Sequence, residues 1–271
     1  MALTLTGGIY GAELQVPNEN ATYVFAVSVA ESDYYAAADT SVTVLTARRS
    51  SGGGGHADPA PEVLNHTPYL LGYDDGTFRP EGNITRAQVA AIFARLLSEQ
   101  TEIQTDSVNP FADVPADAWY ADSVNSLQEQ GILTGRSETS FAPDAPITRA
   151  EFVTICTRFD TYAAVDTVNG FSDVSASHWA YAYINYAVHE KWITGYDDGT
   201  FRPDDYITRA EAVQVVNRVL SRHADADSVA SYRGDLEPFS DLSDRHWAYF
   251  EILEAAIRHD YILNDRQEIW Q

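Results

Sequence analysis

A pentapeptide that starts a helix recurs three times in this chain, as Ile84-Thr85-Arg86-Ala87-Gln88, Ile147-Thr148-Arg149-Ala150-Glu151 and Ile207-Thr208-Arg209-Ala210-Glu211. The arginines fall 63 and 60 residues apart (149 − 86 and 209 − 149). The fold must therefore be assembled from similar units of roughly 60 residues, longer than most solenoid repeats. Threonine followed three positions later by Glu or Gln is a capping box, which pairs the unsatisfied N–H groups of a helix start. The preceding isoleucines are placed to act as hydrophobic staples. Apolar residues then recur at helical spacing: Val89, Ile92, Phe93 and Leu96; Phe152, Ile155, Cys156 and Phe159; Val213, Val216, Val219 and Leu220. Three inner core helices are predicted.

Capping does not need the arginine. Arg86, Arg149 and Arg209 fall at the first helical position, where a cation opposes the helix dipole by roughly 0.3–1 kcal/mol. Two roles remain open, pairing with a structural carboxylate or contact with an anionic ligand. Three equivalent arginines near helix N–H donors and near an aromatic favour the ligand. Arg95, Arg158 and Arg218, nine residues further on, read as structural or solvated.

Each helix start follows a turn. Gly72-Tyr73-Asp74-Asp75-Gly76-Thr77-Phe78-Arg79-Pro80 and Gly195-Tyr196-Asp197-Asp198-Gly199-Thr200-Phe201-Arg202-Pro203 carry an Asp-Gly turn. The middle copy, Gly135-Arg136-Ser137-Glu138-Thr139-Ser140-Phe141-Ala142-Pro143, lacks it. A second motif places Phe, Asp and Trp at fixed offsets: Phe111-Asp113-Trp119, Phe171-Asp173-Trp179 and Phe239-Asp241-Trp247. The aspartates suit capping of the turn or helix that follows, or a sugar hydroxyl. The tryptophans suit core anchors or, partly exposed beside an arginine, a sugar-stacking platform. Residues 64–98 lack the Phe-Asp-Trp half, whereas 239–263 are that half alone. The C-terminal half-unit is thus expected to pack beside the first repeat and close a ring of three.

Residues 1–47 read as β. Tyr23–Val29 and Ser41–Leu45 are rich in β-branched and aromatic residues, giving three or four strands, too few for a closed sandwich. They are expected to be a partial immunoglobulin-like fragment whose beginning lies upstream. Residues 48–63, Gly/Ser-rich and then Pro-rich, read as a linker. The expected organisation is then repeat 1 over 64–108 with a short first half, repeat 2 over 109–168, repeat 3 over 169–226 and a completing half-repeat over 227–271.

At these residues the chain resembles the S-layer homology family, over about 64–263. The resemblance implies a mainly α, pseudo-threefold bundle whose inter-repeat grooves bind secondary cell-wall polymers ending in a pyruvylated amino sugar. It implies that Arg86, Arg149 and Arg209 contact the ketal carboxylate and that Trp119, Trp179 and Trp247 flank the sugar. Asp113, Asp173 and Asp241 would assist, and Gly72, Gly135 and Gly195 would allow close approach. Gln88 in place of glutamate and the missing Asp-Gly of the second copy predict unequal grooves, the third copy being most complete. Arg209→Ala is expected to weaken binding and spare the fold, since Thr208 is the cap. Lattice formation, direct peptidoglycan binding and anchorage of a surface glycan hydrolase are the alternatives.

Other classes fit poorly. Lys+Arg number 17 against Asp+Glu 40, a net charge of −23, which opposes nucleic-acid binding and adsorption to anionic membranes. No apolar run reaches membrane-spanning length. One cysteine, Cys156, excludes an intrachain disulfide. No carboxylate pair or nucleophile context stands apart from the repeats, so no catalytic residue is assigned and no cofactor is expected. The seven histidines show no zinc-ligand spacing, and neither Gly76 nor Gly199 fits an EF-hand register, so no metal site is predicted. An extracellular, wall-associated location is expected, with the secretion signal upstream of Met1.

Overall fold

The structure, a computed structural model, describes residues 63–100, 110–160, 162–166, 168–224, 226–230, 232, 239–264 and 267–271, together with four N-terminal strands at backbone level. The chain divides into two compact units, Met1–Ala60 and Pro61–Gln271. The first contains β1 (Thr4–Thr6), β2 (Ile9–Gly11), β3 (Thr22–Val29) and β4 (Ala38–Leu45), arranged as two antiparallel pairs, β1-β2 and β3-β4. The expected linker falls outside the described residues, Val63 apart.

The second unit is mainly helical. It comprises β5 (Leu64–His66), α1 (Arg86–Gln100), α2 (Ala121–Glu129), α3 (Arg149–Phe159), α4 (Tyr181–His189), α5 (Arg209–Leu220), α6 (Ala226–Ala230), α7 (Tyr249–Ala256), β6 (His259–Asn264) and β7 (Gln267–Trp270). Capping boxes start α1, α3 and α5 as predicted. Thr85 N–H donates to Gln88 Oε1 and Gln88 N–H to Thr85 Oγ1. The Thr148/Glu151 and Thr208/Glu211 boxes are likewise complete. A cap of this kind is worth about 1 kcal/mol. The stapling isoleucines 84, 147 and 207 are fully buried, as are Phe78, Phe141 and Phe201. Helices pack in pairs, α1 with α2, α3 with α4 and α5 with α7, around one continuous apolar core.

The three helix starts are tied to one another in a cycle. Ile147 N–H donates to Ile84 O, Ile207 N–H to Ile147 O, and Ile84 N–H to Ile207 O. The first two free N–H groups of each helix are used in the same cyclic sense. Arg86 and Ala87 donate to Ala145 O and Pro143 O; Arg149 and Ala150 to Asp205 O and Pro203 O; Arg209 and Ala210 to Gly82 O and Pro80 O. Each helix start is therefore satisfied by the pre-helix loop of the next copy. This corrects the expectation that helix N–H donors stand ready for an anion, because carbonyls and the threonine hydroxyls already occupy them.

The Phe-Asp-Trp halves lock the turns. Asp113 accepts from Phe141 and Ala142 N–H, Asp173 from Phe201 and Arg202 N–H, and Asp241 from Phe78 and Arg79 N–H. Ala142, Arg202 and Arg79 each sit at φ 59° just before proline, a left-handed conformation that costs roughly 1–3 kcal/mol for a non-glycine residue. The aspartate, with an oxygen for each N–H, holds that strain. The aspartates thus cap a segment 28 or more residues away in sequence, not the turn or helix immediately following. The C-terminal half performs this task for the first copy. Phe239 packs on Phe78 at 5.1 Å, Ser240 N–H donates to Gly76 O, and Tyr69 N–H to Ala255 O. The sheet order β5-β6-β7 joins the same two segments by antiparallel pairing of Leu64–His66 with residues 259–261.

Candidate functional site

The three arginines are buried, with 3%, 9% and 2% exposure for Arg86, Arg149 and Arg209. Each crosses to the next copy. Arg86 Nε donates to Phe141 O at 2.7 Å, Arg149 Nε to Phe201 O at 2.9 Å, and Arg209 Nε to Phe78 O at 2.7 Å. Second bonds run from Arg86 Nη2 to Thr134 O and from Arg209 Nη2 to Leu71 O. The guanidinium carbons lie 4.5–4.9 Å from the centroids of Phe141, Phe201 and Phe78, and those of Arg149 and Arg209 are also 4.8 and 4.9 Å from Tyr196 and Tyr73. Backbone carbonyls and aromatic faces offset the unfavourable dipole, so the fold itself accounts for much of the arginine. Arg209→Ala would remove the donor of the buried Phe78 O and the part-buried Leu71 O, so the arginine has a structural role beside any contact with ligand.

What distinguishes the copies is the residue at the third helical position. Glu211 Oε1 accepts from Arg149 Nη1 at 3.0 Å and from Tyr196 OH at 2.9 Å. Glu151 lies 3.8 Å from Arg86 Nη1 and 3.4 Å from Arg136 Nη2. In the first copy Gln88 Nε2 donates to Tyr73 OH at 3.0 Å. No carboxylate among the described residues pairs with Arg209. The amide fills the place of the carboxylate and cannot neutralise the cation. Burial pulls Arg209 below the ordinary arginine value, so its charge sits poorly solvated at the wall of a cleft.

That cleft has a volume of about 480 Å³ and is lined by Gly72, Tyr73, Gln88, Arg95, Trp119 and Arg209, with Leu70, Leu71, Asp74 and Ala91. Its size is that of a small-ligand site. A second, of about 140 Å³, joins Arg86, Gly135, Glu151, Arg158 and Trp179. Each cleft takes its arginine from one copy, its glycine from the next, and its tryptophan from the helix pair that follows the glycine. A site is consequently never contained in one repeat. Arg149, Glu211 and Tyr196 occupy the corresponding place in the remaining copy, where Gly195 precedes Tyr196.

Trp119, Trp179 and Trp247 are 66%, 58% and 54% exposed, so they are not core anchors. His178 and His246 pack beside Trp179 and Trp247. The glycines are demanded by packing. A Cβ on Gly72, Gly135 or Gly195 would lie 2.3–2.4 Å from the Phe239, Phe111 or Phe171 ring. Arg95 Nη1 donates to Tyr69 O and Arg218 Nη1 to Trp192 O. Arg95 and Arg158, read from sequence as structural or solvated, also line clefts. Sequence spacing shows which residues recur, and the cyclic exchange between copies decides which of them meet.

A buried arginine, an exposed tryptophan and a cleft-lining glycine thus recur between successive copies around one core. Residues 70–90, 110–153 and 170–213 match the S-layer homology domain, and the chain belongs to that family. It is 37% identical over 213 residues to cell surface glycoprotein 1 of Acetivibrio thermocellus, covering 75% of this chain and 9% of that protein. The cellulosome-anchoring protein of the same organism is 36% identical over 211 residues, 75% and 45% of the two chains. The surface-layer 125 kDa protein of Lysinibacillus sphaericus is 32% identical over 170 residues, 61% and 14%. The chain thus spans less than half the length of each of these relatives.

Proposed function

We propose that residues 61–271 form a pseudo-threefold, non-catalytic module that anchors a longer protein to the bacterial cell wall at the cell surface. Its ligand is an anionic wall polysaccharide, a secondary polymer with a carboxylate-bearing, pyruvylated amino sugar at its end. The names of the relatives, which include surface-layer and anchoring proteins, support the location. Residues 1–47 are a partial immunoglobulin-like fragment, residues 48–63 are linker sequence, and residues 227–271 complete the first repeat.

The observation that carries the reading is the cleft of Arg209. There a buried guanidinium, without a carboxylate partner among the described residues, lines a cleft together with the exposed Trp119 and Gly72. A sugar ring stacks on the indole while its carboxylate reaches the guanidinium edge left over by Phe78 O and Leu71 O, a charge-assisted bond stronger than a neutral one. The net charge of −23 is screened beyond about 8 Å at physiological salt. The first-copy cleft is accordingly the main site, and Gln88 is what leaves it open. In the other two, Glu151 and Glu211 compete with the ligand. Engagement of more than one cleft by one polymer raises overall affinity.

Co-sedimentation with Gram-positive wall sacculi, before and after removal of the secondary polymer, tests the reading. Binding lost with the polymer is expected; equal binding to both preparations would transfer the ligand to peptidoglycan.

A further inference from the structure

Four potential metal ligands converge away from the clefts, at the seam where the strand preceding the first repeat meets the C-terminal half-unit. His66 comes from β5, Glu254 from α7, His259 from β6 and Glu268 from β7. All are buried, and their donor atoms lie within 4.8 Å of one another. His66 Nδ1 is 2.6 Å from Glu254 Oε1 and 3.7 Å from Glu268 Oε2, and His259 Nε2 is 3.3 Å from Glu254 Oε2.

The hydrogen bonding within the cluster is incomplete. Among the described residues, Glu254 Oε2, His259 Nε2 and Glu268 Oε2 are buried without a hydrogen-bond partner. His259 Nδ1 is 2.9 Å from Ile257 O. A carbonyl only accepts, so the imidazole proton belongs on Nδ1, which turns the Nε2 lone pair toward the carboxylates. In the neutral imidazole, Nε2 and Glu254 Oε2 are then both acceptors 3.3 Å apart, and a cation between them would satisfy both. Trp270, stacked on the His259 ring at 3.7 Å, fixes its orientation, and Tyr261 packs on His66 at 4.2 Å. Arg222 is the charged neighbour whose field reaches Glu268 and His66, and it is engaged by Glu99 at 3.2 Å.

We propose that His66, Glu254, His259 and Glu268 form a structural site for a divalent transition-metal ion of the zinc type. Two neutral imidazoles and two carboxylates give a charge of −2, which one such ion cancels. Ligands of tetrahedral zinc stand about 3.4 Å apart; the donor atoms here lie from 2.6 Å to within 4.8 Å of one another, so they close around an ion with side-chain shifts of about 1–1.5 Å. Imidazole donors select zinc-like ions over calcium or magnesium, which take oxygen. With four protein ligands the site is structural. The ion cross-links β5 to α7, β6 and β7, and so fastens the completing half-unit onto the first repeat.

Zinc chloride titrated into the untagged full chain, followed by calorimetry and by metal analysis after dialysis, should give one zinc per chain. At a hundredfold excess over Kd, the thermal midpoint of the 61–271 unit should rise by about 5–10 °C. Glu268→Gln and His259→Gln should each weaken binding at least about 30-fold, whereas His178→Gln/His246→Gln should leave it unchanged. X-ray absorption on the zinc-loaded wild type, which depends on no variant folding, should show two imidazole nitrogens and two oxygens at about 2.0–2.2 Å. Substoichiometric zinc, a shell of water or sulfur, or binding insensitive to both ligand variants would overturn the proposal.

Discussion

Replacing Gln88 by glutamate asks whether a single neutral side chain keeps the Arg209 cleft open. The amide already holds the position of Glu211, with Oε1 accepting from Thr85 N–H and Nε2 donating to Tyr73 OH. A glutamate there would instead accept from the tyrosine, as Glu211 does from Tyr196, and pair with Arg209 as Glu211 pairs with Arg149. An incoming carboxylate would then meet a like charge at about 5 Å, worth about 1–3 kcal/mol for effective dielectric constants between about 80 and 20. The cleft is open to solvent, so the lower half of that range applies and affinity should fall about tenfold. The capping box is preserved, so the thermal midpoint should hold or rise. Calorimetric titration with extracted wall polymer at fixed ionic strength measures the change, and the loss should shrink as salt is raised. Unchanged or tighter binding by Gln88→Glu, with the fold intact, would refute the idea that the missing carboxylate opens this cleft.

Further outcomes follow from the same geometry. Trp119→Ala should weaken polymer binding about 5–30-fold by removing the stacking face, without lowering the thermal midpoint, because the ring is mostly exposed; a fall in stability would make it a core residue. Arg209→Ala should lose both binding and roughly 1–3 kcal/mol of stability, seen in denaturant unfolding, as the buried Phe78 carbonyl and the part-buried Leu71 carbonyl lose their donor. Gly135→Ala should cost about 2–3 kcal/mol, since its methyl would meet the Phe111 ring at 2.4 Å and Ser137 O at 2.5 Å; a neutral result by thermal unfolding contradicts the packing. The Thr77 hydroxyl and then Arg79 hold Asp75 at about 2, and Thr200 and Arg202 do the same for Asp198. Lowered folded values mean these turns contribute stability above about pH 4 that is lost as pH falls toward 2. NMR titration of the two carboxyl carbons should show midpoints near 2, and midpoints near 4 would contradict the turn network.

Much of the fold was legible because helix starts have a local grammar. The Thr–Glu spacing, the stapling isoleucines and the 3.6-residue apolar period all act within one turn or one helix face, and all three helices start at those threonines. Long-range pairing was not legible. Nothing near Asp113 announces that its carboxylate serves Phe141 and Ala142, and nothing near Arg86 names Phe141 O as its partner. Spacing alone is equally silent on what surrounds Gln88. In sequence it is a departure from the motif; in three dimensions the amide bonds Tyr73, and among the described residues no carboxylate pairs with Arg209, an arginine 121 positions away (209 − 88). The His/Glu cluster was invisible to a search for short ligand spacings, because His66 and Glu254 are 188 residues apart and meet only through the β5-β6-β7 sheet.

A crystal structure of residues 61–271 with a purified terminal fragment of the wall polymer tests the central claim most directly. The expected result is a sugar ring on Trp119 with its carboxylate at the guanidinium of Arg209, and weaker occupancy where Glu151 or Glu211 stands. A fragment bound at the Arg149–Glu211 pair while the Arg209 cleft stays free, or bound away from all three arginines, would contradict it.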